Sequence, residues 1–108
     1  MPDRILQMVG IGRKAGLVSV GSLPSEEAVK NGSAVLLVLA SDASDNTKKK
    51  FENMCRFYQV TFCYYGTKEA LGTALGKAEL SVAAVLDTGI AGKIRDYLNT
   101  GGILNGKS

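Results

Sequence analysis

The sequence contains no histidine and no tryptophan, and only two cysteines among its 108 residues. The absence of histidine removes the usual general base near neutral pH and the commonest metal ligand. It therefore excludes the catalytic triads, dyads and zinc proteases that depend on histidine. Cys55 and Cys63 match neither a two-residue metal knuckle nor a redox motif. We expect both to be reduced thiols in the core, and we predict no metal site and no cofactor.

Long apolar runs are also missing. None reaches the length of a signal-peptide core or a bilayer span, and the chain opens on a mixed segment, residues 1–4. This favours a cytoplasmic protein with no membrane partner. A chain of this length has room for one core, which predicts a single domain over residues 1–108. Its net charge of +3 permits a nucleic-acid partner without demanding one.

Hydrophobic periodicity and turn residues predict helices alternating with strands. The predicted helices cover residues 3–14 and 22–32, a segment from the turn cluster 41–47 to about residue 58, residues 67–76, and a last segment from residue 87 that Gly101 and Gly102 stop. Their predicted N-caps include Asp3, Ser22, a residue of the cluster 41–47, and Thr67. The predicted strands cover residues 17–20, 34–40, 60–65 and 82–86, the first of them as a short edge strand. The unbroken apolar run 34–40 is typical of a strand covered by helices on both faces. The fold class is therefore an α/β protein, a three-layer α/β/α sandwich with a mainly parallel or mixed sheet of about four strands.

The predicted helix that ends near residue 58 has two faces. Its buried stripe is predicted to be Phe51, Met54, Cys55 and Tyr58. Its exposed side is predicted to be Lys49, Lys50, Asn53 and Arg56. The remaining rings that could be exposed, Phe57, Tyr64 and Tyr65, form no stacking platform with interleaved basic residues. This pattern argues against recognition of single-stranded nucleic acid.

Two aspartates offer an enzymatic alternative. Asp42 and Asp87 each follow a predicted buried strand, where open α/β folds place ligands. Two such carboxylates could bind Mg²⁺ for phosphoryl transfer. In the alternative interpretation, Asp42 orders a turn and Asp87 caps the last helix. Since no third acid, lysine or arginine is visibly paired with them, we favour the structural interpretation and a protein that is not an enzyme.

Several segments together resemble a known protein family. In chain order they read LVSVG, SEEAVKNG, VLLVLASDASDNTKKKFENMCRFYQV, GTKEALGTALGK and AAVLDTGIAGKI. This order resembles the kink-turn RNA-binding superfamily of large-subunit ribosomal protein seven-Ae, and more closely its small bacterial stand-alone members. The resemblance extends from the first helix to about Leu98, and LGxxLGK is among its more specific motifs. It implies a non-catalytic domain that binds a sharply bent RNA duplex with tandem sheared G·A pairs.

The resemblance also implies where the RNA binds. In the family, the start of the short helix after the first strand holds the RNA through a glycine followed closely by asparagine, glutamate and, three residues on, lysine. Gly21 matches the glycine, whereas the two polar positions fall on Leu23 and Pro24, and the lysine position falls on Glu27. An amide and a cation are thus replaced by an apolar pair and an anion beside phosphates.

A second family contact is the loop before the last strand, where apolar residues pack on an extruded base. In residues 77–80 only Ala78 and Leu80 could serve. We expect this loop and residues 21–27 to form adjacent walls of one site. The candidate RNA-binding residues are Gly21, Ser22, Leu23, Pro24, Glu27, Lys48, Lys49, Ala78 and Leu80.

Two further features support an RNA partner. The backbone amides of Leu23 and Ser25 lie at a predicted helix start and can bind phosphate whatever the side chains are. Lysines 48–50 begin another helix, although a lysine triplet is also typical of a solvated face. The leading prediction is a protein that binds structured ribosomal or regulatory RNA, with ribosomal or other ribonucleoprotein components as further partners. The alternative is a protein-interaction module on the same fold, with Leu23 and Pro24 as its apolar contact patch.

Overall fold

The computed structural model describes residues 3–100, without the side chain of Thr100. The helices are α1 (Arg4–Lys14), α2 (Ser22–Lys30), α3 (Asp45–Tyr58), α4 (Lys68–Leu75) and α5 (Thr88–Thr100). The strands are β1 (Val18–Val20), β2 (Leu36–Leu39), β3 (Phe62–Tyr64) and β4 (Val82–Val85). Every predicted element is present, and each strand is shorter than the segment predicted for it. Gly101 and Gly102, predicted to stop the last helix, lie outside the described residues.

The strands form one mixed sheet in the order β1-β4-β2-β3. Strand β4 is antiparallel to both β1 and β2, whereas β2 and β3 are parallel. Every residue of β2 and β4 is buried, as the unbroken apolar runs predict. The short strand β1 is an edge strand, also as predicted.

Helices cover both faces of this sheet. One face packs against α2 and α3 in a cluster that includes Phe51 and Cys55. The other face packs against α1, α4 and α5 in a cluster that includes Leu71 and Ile94. Because alternate residues of a strand point to opposite faces, β2 contributes side chains to both clusters. The predicted three-layer α/β/α sandwich with a mixed four-stranded sheet is confirmed.

Helix starts follow the predicted capping pattern with one exception. The side chains of Asp3, Ser44 and Thr67 accept hydrogen bonds from the first-turn amides of α1, α3 and α4. Helix α2 differs, because Gly21 rather than Ser22 is its N-cap and no side chain caps it. Gly21 has a φ of 99°, a conformation that side chains disfavour, and Ser22 becomes the first helical residue.

The buried face of α3 is narrower than predicted. Phe51 and Cys55 are buried and Met54 is half-buried, but Tyr58 is 40% exposed. Tyr58 is the last residue of the helix and packs edge-on against the ring of Phe57, with ring centroids 4.9 Å apart. Its predicted place in the core is therefore wrong. The predicted exposed side is confirmed for Lys49, Lys50, Asn53 and Arg56.

Both cysteines are free thiols. Cys55 is buried in the α3 layer as predicted, whereas Cys63 on β3 is only partly buried. Burial raises the pKa of Cys55 to about 11 and the pKa of Cys63 to about 12. Because the thiolate is the reactive form, neither side chain is an effective nucleophile at neutral pH.

Asp3 joins the start of α1 to the end of β3. One carboxylate oxygen accepts a hydrogen bond from the Leu6 amide at 3.0 Å, and the other accepts one from the Tyr65 hydroxyl at 2.7 Å.

We expect Asp3→Ala to lower the free energy of unfolding by about 1–2 kcal/mol through the lost cap and by about 1 kcal/mol more through the unpaired hydroxyl. Denaturant unfolding of Asp3→Ala, Tyr65→Phe and the double variant measures the coupling, and strictly additive losses would contradict a direct bond.

This contact also predicts a dependence of stability on alkaline pH. Partial burial, followed by the hydrogen bond to Asp3, raises the pKa of Tyr65 from 10.0 to about 12. A pKa raised in the folded state means that the neutral phenol contributes its full stability below pH 10. That contribution is lost as the pH rises through 12, and the Tyr65→Phe variant should lack it.

Candidate functional site

The two predicted walls of the site lie at the same end of the sheet. Gly21 follows β1, and its amide donates a hydrogen bond to the carbonyl oxygen of Val82, the first residue of β4, at 3.1 Å. Two residues before Val82, the amide of Leu80 donates to the carbonyl oxygen of Lys68 at 3.0 Å. The start of α2 thus lies beside the first residue of β4, two residues after the loop of residues 77–80, and the use of the two segments as one site stays a prediction.

The start of α2 presents only two free backbone donors. The amide of Gly21 is bonded to β4, and the amide of Ser25 donates to the carbonyl oxygen of Gly21 at 3.1 Å. Pro24 has no amide hydrogen. The amides of Ser22 and Leu23 remain, since the first turn of a helix offers them no acceptor. The predicted phosphate contact of the Ser25 amide is therefore wrong, because that amide closes the first helical turn.

The side chains around these two amides are exposed and mostly lack positive charge. Ser22, Leu23, Pro24 and Glu27 are all exposed, and Leu23 is 66% exposed. Leu23 and Pro24 form an apolar patch at the helix start. Glu27 lies one turn beyond this patch. The polar and cationic groups that the family has at these positions are absent, as the sequence predicts.

The loop of residues 77–80 exposes less apolar surface than expected. Leu80 is only 8% exposed and belongs to the core cluster between the sheet and helices α1, α4 and α5. Its side chain is therefore not free to pack on a base. Lys77, Ala78 and Glu79 are exposed, so Ala78 is the exposed apolar side chain of this loop.

Two glycines of α4 explain the LGxxLGK motif. A Cβ at Gly72 would lie 2.9 Å from the Glu79 Cα and from the Lys77 carbonyl oxygen, and 3.0 Å from the Ala78 carbonyl carbon. Only a residue without a side chain lets the loop backbone approach this closely. Gly76 ends α4 with a left-handed φ of 78°, which turns the chain into the loop. The motif thus positions residues 77–80 against α4.

An ion-pair network holds α3 beside α2. Glu26 binds Lys30 of its own helix and Lys50 of α3, with both Nζ–Oε distances 2.9 Å. The hydrogen bonds from Lys30 and Lys50 lower the pKa of Glu26 to about 2. The carboxylate therefore stays ionised at neutral pH, and Lys50 is not free to bind a phosphate without leaving it.

The two other lysines of the triplet differ from each other. The side chain of Lys48 is half-buried, with its Nζ 5.5 Å from the centroid of the Tyr64 ring. Lys49 is exposed and forms no ion pair with any residue between positions 3 and 100. Of the three lysines, Lys49 is the most available cation.

Asp42 and Asp87 do not form one site. Because β2 and β4 are antiparallel, the residues that follow these strands lie at opposite ends of the sheet. Asp42 Oδ1 accepts the amide of Lys68 at 2.7 Å, and Asp87 Oδ2 accepts the amide of Ile90 at 2.9 Å. The predicted alternative of a shared Mg²⁺ site is therefore wrong. Asp87 caps α5 as predicted, whereas Asp42 joins the turn after β2 to the first residue of α4.

Two further observations concern a metal ion and a membrane as possible partners. Within positions 3–100, no group of three or more acidic or cysteine side chains could hold a metal ion. No helix in the same range is long and apolar enough to cross a membrane.

A separate open groove of about 880 Å³ lies between α1 and α4. Leu6, Ile11 and Ala74 supply apolar lining, and Asp3 and Glu69 are among its polar groups. Its lining includes none of residues 21–27 and 77–80. It is therefore not part of the candidate site.

The architecture and the paired segments define a small α/β sandwich with an exposed helix start beside a close-packed loop. Comparison with protein families agrees with this description, because residues 3–95 match the ribosomal protein L7Ae/L30e/S12e/Gadd45 family. The chain belongs to this family, which confirms the resemblance found in the sequence.

Two bacterial relatives are similar over most of their length. The RNA-binding protein YlxQ of Bacillus subtilis (strain 168) is 33% identical over 92 residues, which cover 85% of this chain and 92% of that protein. The RNA-binding protein YlxQ of Enterococcus faecium is 27% identical over 96 residues, which cover 89% of this chain and 92% of that protein.

Solved structures show the same fold. A protein of unknown function from Bacillus halodurans C has a TM-score of 0.85 and 33% sequence identity, covering 91% of this chain and 99% of that one. The 15.5kD RNA binding protein of Giardia lamblia has a TM-score of 0.73 and 20% identity, covering 93% of this chain and 89% of that one. The second likeness concerns the fold alone.

Proposed function

We propose that this chain acts as a single, non-catalytic RNA-binding domain that recognises a kink-turn in structured ribosomal or regulatory RNA in the cytoplasm. The main support is that the start of α2 and the loop of residues 77–80 lie at the same end of the sheet, where Gly21 donates a hydrogen bond to Val82, two residues after the loop. The two YlxQ relatives are named as RNA-binding proteins, which agrees with an RNA ligand. Ribosomal or other ribonucleoprotein components are proposed as further partners.

Each wall of this site suits a different part of the RNA. The free amides of Ser22 and Leu23 lie at the positive end of the α2 dipole, which suits a phosphate group. On the other wall, Ala78 offers an apolar surface to an extruded base, and Lys77 and Lys49 supply cations for the backbone. Because base readout by an amide and a cation is missing at Leu23, Pro24 and Glu27, affinity in this site depends mainly on shape and backbone contacts.

The proposal predicts a preference for kink-turn geometry and a moderate salt dependence. In calorimetric titrations we expect a kink-turn duplex to bind about tenfold or more tightly than a duplex whose sheared G·A pairs are replaced by Watson–Crick pairs. With two or three lysine–phosphate contacts, log affinity should fall with log salt concentration at a slope of about 2 to 3. Equal affinity for the two RNAs would contradict kink-turn recognition.

A protein-interaction module is the second candidate, and the exposed apolar patch formed by Leu23 and Pro24 favours it. In that case neither RNA should bind in the titration. Leu23→Ser would then weaken binding of the protein partner.

A further inference from the structure

The C-terminal end of α3 exposes a pair of aromatic rings that the fold does not use. Phe57 is 77% exposed and Tyr58 is 40% exposed, and the two rings pack edge to face. Phe57 belongs to neither hydrophobic cluster and is not among the partly buried residues packed against them. One face of a large ring is therefore open to solvent on a rigid helix.

Basic side chains share the exposed side of α3 with these rings, and one of them, Arg56, also lies 5.9 Å from the centroid of the Phe62 ring. Four residues share the outward side of α3 at spacings of three or four, namely Lys49, Asn53, Arg56 and Phe57. The side chain of Arg56 is 64% exposed. Lys30 of α2, whose pKa is raised mainly by its hydrogen bond to Glu26, also lies within electrostatic range of Tyr58.

The carboxylates nearby are already neutralised. Glu26 is bound by Lys30 and Lys50. Glu52 accepts a hydrogen bond from the Tyr64 hydroxyl and lies 3.8 Å from Arg56. With four cations against these two carboxylates, the surface around the rings carries an excess of positive charge, which complements a polyanion rather than an acidic or neutral protein surface.

The patch is also too small to serve as an apolar docking site. Among residues 3–100 the other exposed large apolar side chains are Ile11 on α1 and Leu23 at the start of α2. Neither extends the surface of the Phe57–Tyr58 pair. A single exposed ring with cations beside it matches the way that unpaired nucleotides are held, by stacking of the base and by charge on the backbone.

We propose that the C-terminal end of α3 is a second RNA contact, at which an unpaired nucleotide stacks on Phe57 while Arg56 and Lys49 bind its flanking phosphates. Phe57 lies about 18 Å along α3 from the start of the helix, so it extends the proposed RNA surface away from the kink-turn site. The inference rests on the proposed function only in taking RNA as the ligand, because kink-turn geometry plays no part in the stacking. The sequence left Phe57 as a ring that could be exposed, and its exposure of 77% is what the present proposal adds to that expectation.

A single-tryptophan variant tests the stacking directly, because the chain contains no tryptophan. In Phe57→Trp we expect short single-stranded oligouridine to quench the indole fluorescence. Ile11→Trp is the matched control, since Ile11 is 58% exposed on α1 in the opposite helical layer. Quenching in both variants, or in neither, would overturn the proposal.

Affinity measurements separate stacking from other contacts. Phe57→Ala and Phe57→Leu should each weaken binding of oligouridine about fivefold or more, whereas Phe57→Tyr retains it. None of these changes should affect a blunt-ended kink-turn duplex. Full affinity for oligouridine in Phe57→Leu would overturn the stacking, because leucine retains the apolar surface without the ring. If the unmodified protein bound oligouridine but not the kink-turn duplex, that result would reject the proposed function and still support the second contact.

Discussion

Gly72→Ala is expected to destabilise the protein and to weaken RNA binding in the same variant. The new Cβ would meet the backbone of Lys77, Ala78 and Glu79 at 2.9–3.0 Å, and backbone atoms cannot rotate away as a flexible side chain can. Overpacking of this kind costs about 1–3 kcal/mol, in place of the gain of up to about 1 kcal/mol that alanine usually brings inside a helix. Displacement of the loop would also move Ala78 away from the amides of α2.

The chain offers a matched control in Gly92→Ala. Gly92 also lies within a helix, α5, and a Cβ at that position would meet nothing within 4 Å. We expect this variant to be as stable as the parent protein or slightly more stable. Denaturant unfolding and titration with kink-turn RNA measure both effects. If Gly72→Ala proved as stable as Gly92→Ala, the close approach of the loop to α4 would be wrong. A loss of stability without a loss of affinity would separate the loop from the RNA.

Glu27→Lys is expected to tighten binding of kink-turn RNA by about tenfold at low salt. Glu27 is exposed and forms no ion pair with residues 3–100, so its replacement breaks no contact in the fold. The change removes a negative charge beside the proposed phosphate position and adds a positive one, each worth about 1 kcal/mol at short range in water. The slope of log affinity against log salt should become steeper by about 1.

Two variants show whether this effect is local. Glu69→Lys makes the same change of charge on α4, in the layer that faces the α1–α4 groove, and should alter affinity much less. Glu27→Gln removes the repulsion without adding a cation and should give an intermediate affinity. If Glu69→Lys tightened binding as much as Glu27→Lys, the gain would reflect net charge alone and Glu27 would lie outside the site.

The sequence predicts the local structure well because local interactions determine it. Helix caps such as Asp3 and Thr67 and the apolar run of β2 carry their signals within a few residues. The order of the strands has no such local signal, and the insertion of β4 antiparallel between β1 and β2 could not be read from the chain. The separation of Asp42 from Asp87 follows from that insertion alone.

In the candidate site, too, features with a signal in the chain were predicted correctly, whereas features that depend on tertiary packing were not. Residues 21–27 and 77–80 were expected to adjoin because of the family resemblance, and the bond from Gly21 to Val82 places both segments at the same end of the sheet. The family resemblance placed Leu80 on the RNA-binding surface, and helical periodicity placed Tyr58 in the core. Both assignments were wrong, because the burial of Leu80 and the exposure of Tyr58 depend on how distant elements pack. The Ser25 amide was misassigned for a smaller reason, a shift of the α2 N-cap by one residue.

The hydrogen bond from Gly21 to β4 has a thermodynamic consequence. It fastens the start of α2 to the central part of the sheet, where β4 is held by strands on both sides. A helix end anchored in this way is already in its final shape before any ligand arrives, so association costs little ordering of the protein. In the proposed complex, the entropy lost on binding would then fall on the RNA, which would have to bend to fit a rigid surface.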